Sequence, residues 1–160
     1  AQLDKLDEFV QARIDNFDYL HNGLKDLEEY LILPYAVENA NPSWFGFPIT
    51  VKDNAPFNKL ELTKYLEEKR IGTRQVFAGN ILRQPAYRTT NFKLRIRDSK
   101  LLESKDLEDE HYTLLPNSDI IMRQSFWIGT WPGLTKQDLD YMIETIHNFI
   151  HTYLKTSTFN

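Results

Sequence analysis

Leu3, Leu6, Val10, Phe17, Leu20, Leu24 and Leu27 recur at alternating intervals of three and four, broken only by Arg13, with Ile14 beside it. That spacing lays one apolar stripe along one side of a helix. It predicts a helix over residues 3–30, about 40 Å long at 1.5 Å per residue. So long a stripe must pack on something: the rest of this domain, another domain or a second copy. Pro34 ends the helical pattern, and residues 39–43 have turn composition. Residues 44–51, Trp-Phe-Gly-Phe-Pro-Ile-Thr-Val, predict a strand. Pro48 cannot donate to a ladder, so this strand should lie at an edge or carry an irregularity.

Two further helices announce their starts. Asn58 with Glu61 three residues on forms a capping box, flanked by Phe57 and Leu62 at staple positions. Leu62, Tyr65 and Leu66 then face inward, and Gly72 is the expected stop. Thr135 and Asp138 repeat the signal, with Leu134 and Leu139 as the staple. Leu139, Met142, Ile143, Ile146, Phe149, Ile150 and Tyr153 follow a helical period. Between these helices, residues 74–77 and 125–129 read as short strands and residues 79–87 as an ordered loop. Residues 119–122 read as a helical turn. The stretch 88–118, most charged over 100–110, reads as a surface insertion. The resulting order is helix, strand, helix, strand, strand, helix. A two-layer α/β domain satisfies it, of the α+β kind: a small, mainly antiparallel sheet with helices on one face.

Composition narrows the functional classes. The chain has 160 residues, enough for one domain, and 13% aromatic content can fill a core at that length. A net charge of -4 gives no electrostatic reason to expect nucleic acid or an anionic membrane as partner. The basic run 93–100 is followed directly by acids, and Arg95 and Arg97 carry no interleaved stacking aromatics. There are no cysteines, so disulfides, thiolate metal sites and cysteine nucleophiles are excluded. No apolar run approaches the roughly 20 residues of a membrane helix, and no signal-peptide pattern is present, so a cytoplasmic location is expected. The first residue is Ala1, already inside the helical pattern, which leads to the expectation of a piece of a longer protein.

Most catalytic signatures are missing. The 6 glycines form no phosphate-cradling cluster, and no serine sits in a nucleophile elbow. His147 and His151 stand four apart but lack an obvious third ligand, so a solvated helix flank is preferred to a metal site. His21 and His111 read as surface residues. Glu67 and Glu68 are adjacent and point apart, and the cluster 108–110 reads as solvated loop. The stretch 71–87 is different: it gathers two Arg, one Asn, two Gln and two aromatics around two Gly. Arg suits phosphate or carboxylate and Asn suits sugar hydroxyls. These groups could equally satisfy the backbone of their own loop.

Four phrases carry a resemblance. Residues 42–50 (Pro-Ser-Trp-Phe-Gly-Phe-Pro-Ile-Thr), 71–74 (Ile-Gly-Thr-Arg), 77–80 (Phe-Ala-Gly-Asn) with Arg83-Gln84-Pro85, and 126–129 (Phe-Trp-Ile-Gly) with Pro132-Gly133-Leu134-Thr135 occur in this order. Together they resemble the C-terminal part of the DegT/DnrJ/StrS aminotransferase family, and within it the CDP-4-keto-6-deoxyglucose 3-dehydratases. The resemblance covers nearly the whole chain except about residues 92–117.

The resemblance implies the C-terminal small domain of a fold-type I enzyme dependent on pyridoxal phosphate (PLP) or its pyridoxamine form (PMP). Residues 1–160 would be that domain, with the helix over 1–30 joining it to a cofactor-binding domain not included here. A homodimer would complete each site. The cofactor would act as electron sink on a nucleotide-linked keto sugar, and in the dehydratase branch a histidine of the large domain would help expel the C3 hydroxyl, towards 3,6-dideoxysugars of the O-antigen. No catalytic residue and no metal ligand is then expected in this chain, and no cofactor on this chain alone. None of its histidines or lysines matches the family's catalytic positions. The residues assigned to the wall facing substrate and cofactor are Arg74, Asn80 and Arg83, with Phe77, Trp44 and Tyr87 beside them. Arg74 equally suits a structural ion pair. Some of these dehydratases hold an iron-sulfur cluster on cysteines, and this sequence supplies none. A sugar aminotransferase of the same family, and a binding or assembly module without chemistry, are the alternative readings.

Overall fold

The amphipathic run at the start of the chain is helical in three joined pieces in the computed structural model, which describes residues 3–89, 93–95, 101–103 and 112–157. A 3-10 turn (Leu3–Lys5) leads into helix α1 (Leu6–Leu24), and a second 3-10 turn (Lys25–Leu27) closes the run. The helical path thus ends three residues before the expected limit. The change of helix type falls at Leu24, whose φ opens to -112°. Only the second half of the stripe is consumed: Phe17, Leu20, Leu24 and Leu27 are buried, whereas Leu3 is 80% and Leu6 50% exposed.

Contacts divide the chain into two units, residues 1–75 with 124–160, and residues 76–123. The first contains a four-stranded antiparallel sheet in the order β1 (Leu31–Ile32), β2 (Gly46–Val51), β6 (Ser125–Gly129), β3 (Thr73–Gln75). Side chains alternate across a strand. Phe47, Ile49, Val51, Phe126 and Ile128 therefore share one buried face, and helices α1, α2 (Lys59–Glu68) and α5 (Lys136–Ser157) cover it. Leu20, Leu24, Leu62, Leu66, Ile146 and Ile150 supply the helical side of that core. Gly23 marks a close approach of α1 to α5: a Cβ there would stand 2.3 Å from Ile143 Cδ1.

Local chemistry explains the boundaries. Asn58 accepts from the Glu61 N–H while Glu61 accepts from the Asn58 N–H, so the capping box of α2 is complete. Thr135 and Asp138 make the same reciprocal pair before α5. The end of α2 differs from expectation. Arg70, not Gly72, takes the left-handed conformation (φ 62°). Its N–H reaches Glu67 O and that of Ile71 reaches Leu66 O, the 5→2 and 6→1 bonds of a Schellman stop. The buried Ile71–Leu66 pair is the apolar contact that accompanies such a stop, and it outweighs the steric cost at Arg70. Pro48 fits its strand because β1 pairs only with Thr50 and Val51, leaving β2 an edge on that side at Pro48.

Two strands are shorter than their sequence patterns: β2 starts at Gly46 rather than 44, and β3 ends at Gln75 because Phe77 has φ 38°. The short strand β1 carried no signal of its own in the pattern. In the second unit, residues 79–87 hold a 3-10 turn (Ile81–Arg83) and the start of a short helix α3 (Pro85–Thr89). The charged insertion contains a paired hairpin, β4 (Lys93–Arg95) with β5 (Leu101–Glu103). The expected helical turn is a nine-residue helix α4 (Pro116–Gln124). Most of the stretch 100–110, and His111, lie outside the described residues.

Candidate functional site

The face of the sheet opposite the helices carries a mixed apolar and cationic row. Pro48 of β2, Trp127 of β6 and Arg74 of β3 stand in register across three strands. The Phe45 ring is 4.8 Å from that of Trp127 and is 67% exposed. Trp127 lies across Gly46, where a Cβ would meet its ring at 2.4 Å, so the missing side chain is what lets the indole lie over β2. Arg74 is exposed, and its charge contributes to holding the Glu67 carboxyl low. Glu67 itself is occupied, accepting from the Thr73 N–H (2.5 Å) and the Thr73 hydroxyl (2.8 Å), which hold its carboxyl below the ordinary range. Among the described residues no ion pair joins Arg74 to a carboxylate.

Trp44 is half-buried on the other side of the strand start. Its ring stacks on Phe17 at 4.0 Å and 4°, and its carbonyl accepts from Thr130 Oγ1 (2.9 Å) and Arg13 (3.2 Å). It borders a hollow of about 280 Å³ with Ile14, Asp18, His21 and Tyr35. A larger groove of about 520 Å³ runs along Arg70, Gly72, Gly129, Trp131, Tyr141 and Met142 in the same unit.

The other predicted site residues belong to the second unit. Asn80 is fully buried. Its Oδ1 accepts from the Leu82 N–H (3.1 Å) and so caps the 3-10 turn, while its Nδ2 donates to Tyr112 O (2.9 Å) and Leu115 O (3.4 Å). Arg83 donates through Nε (2.5 Å) and Nη2 (3.0 Å) to Asp119, and its guanidinium lies 3.6 Å over the Tyr112 ring. Asp119 is buried, and the Arg83 hydrogen bonds, with the charges of Arg83 and Arg123, hold its carboxyl below the usual range. Asn80 Nδ2 also donates to Asp119 Oδ1 (3.4 Å), so Asn80 and Arg83 meet on one carboxylate. Phe77 is 86% exposed with a left-handed backbone, and Tyr87 is half-buried in α3. Gly79, at φ 64°, allows the turn to approach Met122, whose Cγ a Cβ there would meet at 2.2 Å.

Three residues that matter here were not singled out from the sequence. Trp127 follows Phe126, so the period of two places it on the opposite face; Phe45 precedes the first residue of β2, where that period gives it no outward place. Asp119 carried no such signal, since its partner is 36 residues away. Elsewhere, His151 is exposed as expected of a solvated flank, but His147 is half-buried, bridging Ile143 O and Asp26. Among the described residues no group of three His, Cys, Asp or Glu could hold an ion. Lys59 is buried and bonded to Gln75 Oε1 at 2.7 Å, and burial lowers its proton affinity. No described helix is long and apolar enough to cross a membrane.

The DegT/DnrJ/EryC1/StrS aminotransferase family matches residues 1–147. The lipopolysaccharide biosynthesis protein RfbH of Salmonella typhimurium is 45% identical over 93% of this chain, which spans 30% of that protein. The dTDP-4-dehydro-2,6-dideoxy-D-glucose 3-dehydratase of Saccharopolyspora spinosa is 39% identical over 94% of the chain and 29% of its own length. Among solved structures, the GDP-4-keto-6-deoxy-D-mannose-3-dehydratase of E. coli with bound hydrated PLP superposes with a TM-score of 0.66. That match is 22% identical over 91% of this chain and 32% of the other. The fold is that of the C-terminal part of such aminotransferase-fold enzymes.

Proposed function

The chain belongs to the DegT/DnrJ/EryC1/StrS aminotransferase family, and from that premise we propose that it is the C-terminal small domain of a PLP- or PMP-dependent 3-dehydratase. The enzyme would remove the C3 hydroxyl from a 4-keto-6-deoxyhexose nucleotide during synthesis of lipopolysaccharide dideoxysugars in the cytoplasm. The observation that carries this reading is the 45% identity to RfbH over nearly the whole chain, with a named 3-dehydratase next at 39%. Because the chain spans about 30% of those relatives, we assign the activity to a larger polypeptide, and a homodimer is part of the same proposal. Residues 1–30 would join this domain to the cofactor-binding one.

A phosphate cradle needs free donors, and Asn80, Arg83 and Lys59 already donate to Tyr112, Asp119 and Gln75. The cofactor is therefore assigned to the other domain, and no chemical step is assigned to this one. Its part is to bind, orient and exclude water. In the first unit Arg74 is the cation proposed for the diphosphate; in the second, Asn80 and Arg83 serve the internal bonds that shape residues 80–83.

The test is turnover of CDP-4-keto-6-deoxyglucose, followed by loss of the C3 oxygen in the product. An enzyme carrying this chain as its C-terminal third should dehydrate the sugar with PMP bound, and the 160-residue chain alone should not. Turnover by the chain alone, or transfer of an amino group in place of dehydration, overturns the proposal.

A further inference from the structure

We propose that the open face of the sheet is the platform for the hexose ring of the substrate: the apolar side of a 6-deoxysugar lies on Trp127 and Phe45 while its anomeric phosphate meets Arg74. The proposal rests on the nucleotide-sugar reading above and assigns a place to the sugar within it.

Three features of the row define the ligand. The first is shape. Pro48, Trp127 and Arg74 stand on adjacent strands in register, so with strands about 4.8 Å apart the row is roughly 10 Å long. That length suits a pyranose with one phosphate. The second is the aromatic surface. An indole face is electron-rich and attracts the slightly positive C–H groups of a sugar ring. A methyl at C6 extends that apolar side, whereas a C6 hydroxyl would lose water against the ring without gaining a partner. The third is charge. Arg74 stands at the end of the row, exposed and without an ion pair among the described residues, and its planar fork fits a phosphate.

The platform is built in advance. Gly46 lets Trp127 lie over β2, and a Cβ at that position would displace the ring. Arg13 donates to the carbonyls of Trp44 and Phe45, and Thr130 donates to Trp44, which pins the backbone that carries the Phe45 ring. Phe45 nevertheless stays 67% exposed, so folding does not use the surface it offers.

The experiment uses the 160-residue chain labelled with ¹⁵N, titrated with 6-deoxy-D-glucose 1-phosphate, D-glucose 1-phosphate and inorganic phosphate, with the indole N–H signals assigned. The Trp127 indole should shift with the deoxysugar phosphate, and glucose 1-phosphate should bind several-fold more weakly. Phe45→Ala, at an exposed site where folding is not at risk, should weaken the deoxysugar phosphate about fivefold. Arg74→Gln should weaken both sugar phosphates about tenfold. An unmoved Trp127 indole, equal affinity for the two sugars, or an unaltered affinity in Phe45→Ala overturns the proposal. Another protein segment as the natural occupant would give the first of these results. The nucleotide-sugar reading is scored separately by turnover of the larger enzyme. If that enzyme dehydrates its substrate and Phe45→Ala leaves KM unchanged, the platform falls and the reading stands. If it does not act on the nucleotide sugar, the reading falls whatever the titration shows.

Discussion

Replacing Asn80 with alanine separates the two roles its residue type suggests, ligand contact and internal cap. The side chain is fully buried and makes bonds in both directions. Without it the Leu82 N–H, in a residue only 2% exposed, loses its acceptor. An unsatisfied buried donor costs about 1–3 kcal/mol. Tyr112 O and Leu115 O lose a donor each but keep the N–H groups of Leu115 and Asp119, so each loss costs only about 0.5–1 kcal/mol. The sum is about 3 kcal/mol, confined to residues 76–123. Asn80→Asp keeps the Leu82 bond but turns an anion toward two carbonyls and toward Asp119, 3.4 Å from the amide nitrogen. It should destabilise at least as much at neutral pH and less in acid, where the new carboxyl is protonated. Tryptophans 44, 127 and 131 all lie in the first unit, so their fluorescence reports that unit alone. Amide exchange at Leu82 and Asp119 reports the second. The expected result is faster exchange at both amides with little change in tryptophan emission. Unchanged exchange in Asn80→Ala together with lost sugar-phosphate binding would refute the internal-cap assignment.

Acid should unfold the domain through a defined set of carboxylates. Asp119 is held low by Arg83, Glu61 by the Tyr153 hydroxyl, Asp138 by Thr135, and Asp140 by the Tyr19 hydroxyl. A carboxyl depressed in the folded state contributes its stability above its unfolded value and loses it as pH falls through the folded one. Urea midpoints should therefore hold from neutrality down to about pH 4 and decline below it. A decline beginning near pH 6 would contradict this. Gly23→Ala should cost about 1–3 kcal/mol, because its Cβ must push Ile143 out of the α1–α5 contact. A thermal melt unchanged by that substitution would show that the helices separate without penalty.

How much the sequence disclosed follows the range of the forces involved. Both capping boxes are contained within four residues, and both are present as read. Strand β6 keeps the bounds of its pattern because a run of five alternating residues between a helix and a Gly-Thr turn has few other solutions. The stop of α2 and strand β1 were set by contacts outside their own sequence signals. Gly72 was the conformationally free residue, but the Leu66–Ile71 contact decided where α2 stops and left Arg70 to take the unusual backbone. Strand β1 is only two residues long, and pairing with Thr50 and Val51 creates it. At the candidate site the limit is the same. The phrases placed Arg74, Asn80 and Arg83 near one another in sequence, yet Asp119, which binds Arg83, comes from 36 residues downstream.

That separation yields a rule for assigning roles within the family phrases. A side chain whose hydrogen-bonding capacity is spent inside the fold has little left for a ligand, whatever its chemistry suggests. In the phrase around residues 77–85, Gly79 is needed for backbone shape and Asn80 is satisfied in both directions. Arg83 is likewise engaged by Asp119 and Tyr112. In the phrases around 44–50, 71–74 and 126–129 the apolar core accounts for Phe47, Ile49, Phe126 and Ile128. It leaves Phe45, Arg74 and the outward face of Trp127 unexplained by folding. Folding should be sensitive to the first group and nearly indifferent to Phe45 and Arg74. Ligand affinity should show the reverse, because an exposed ring and a guanidinium without an ion pair among the described residues contribute little to the free domain.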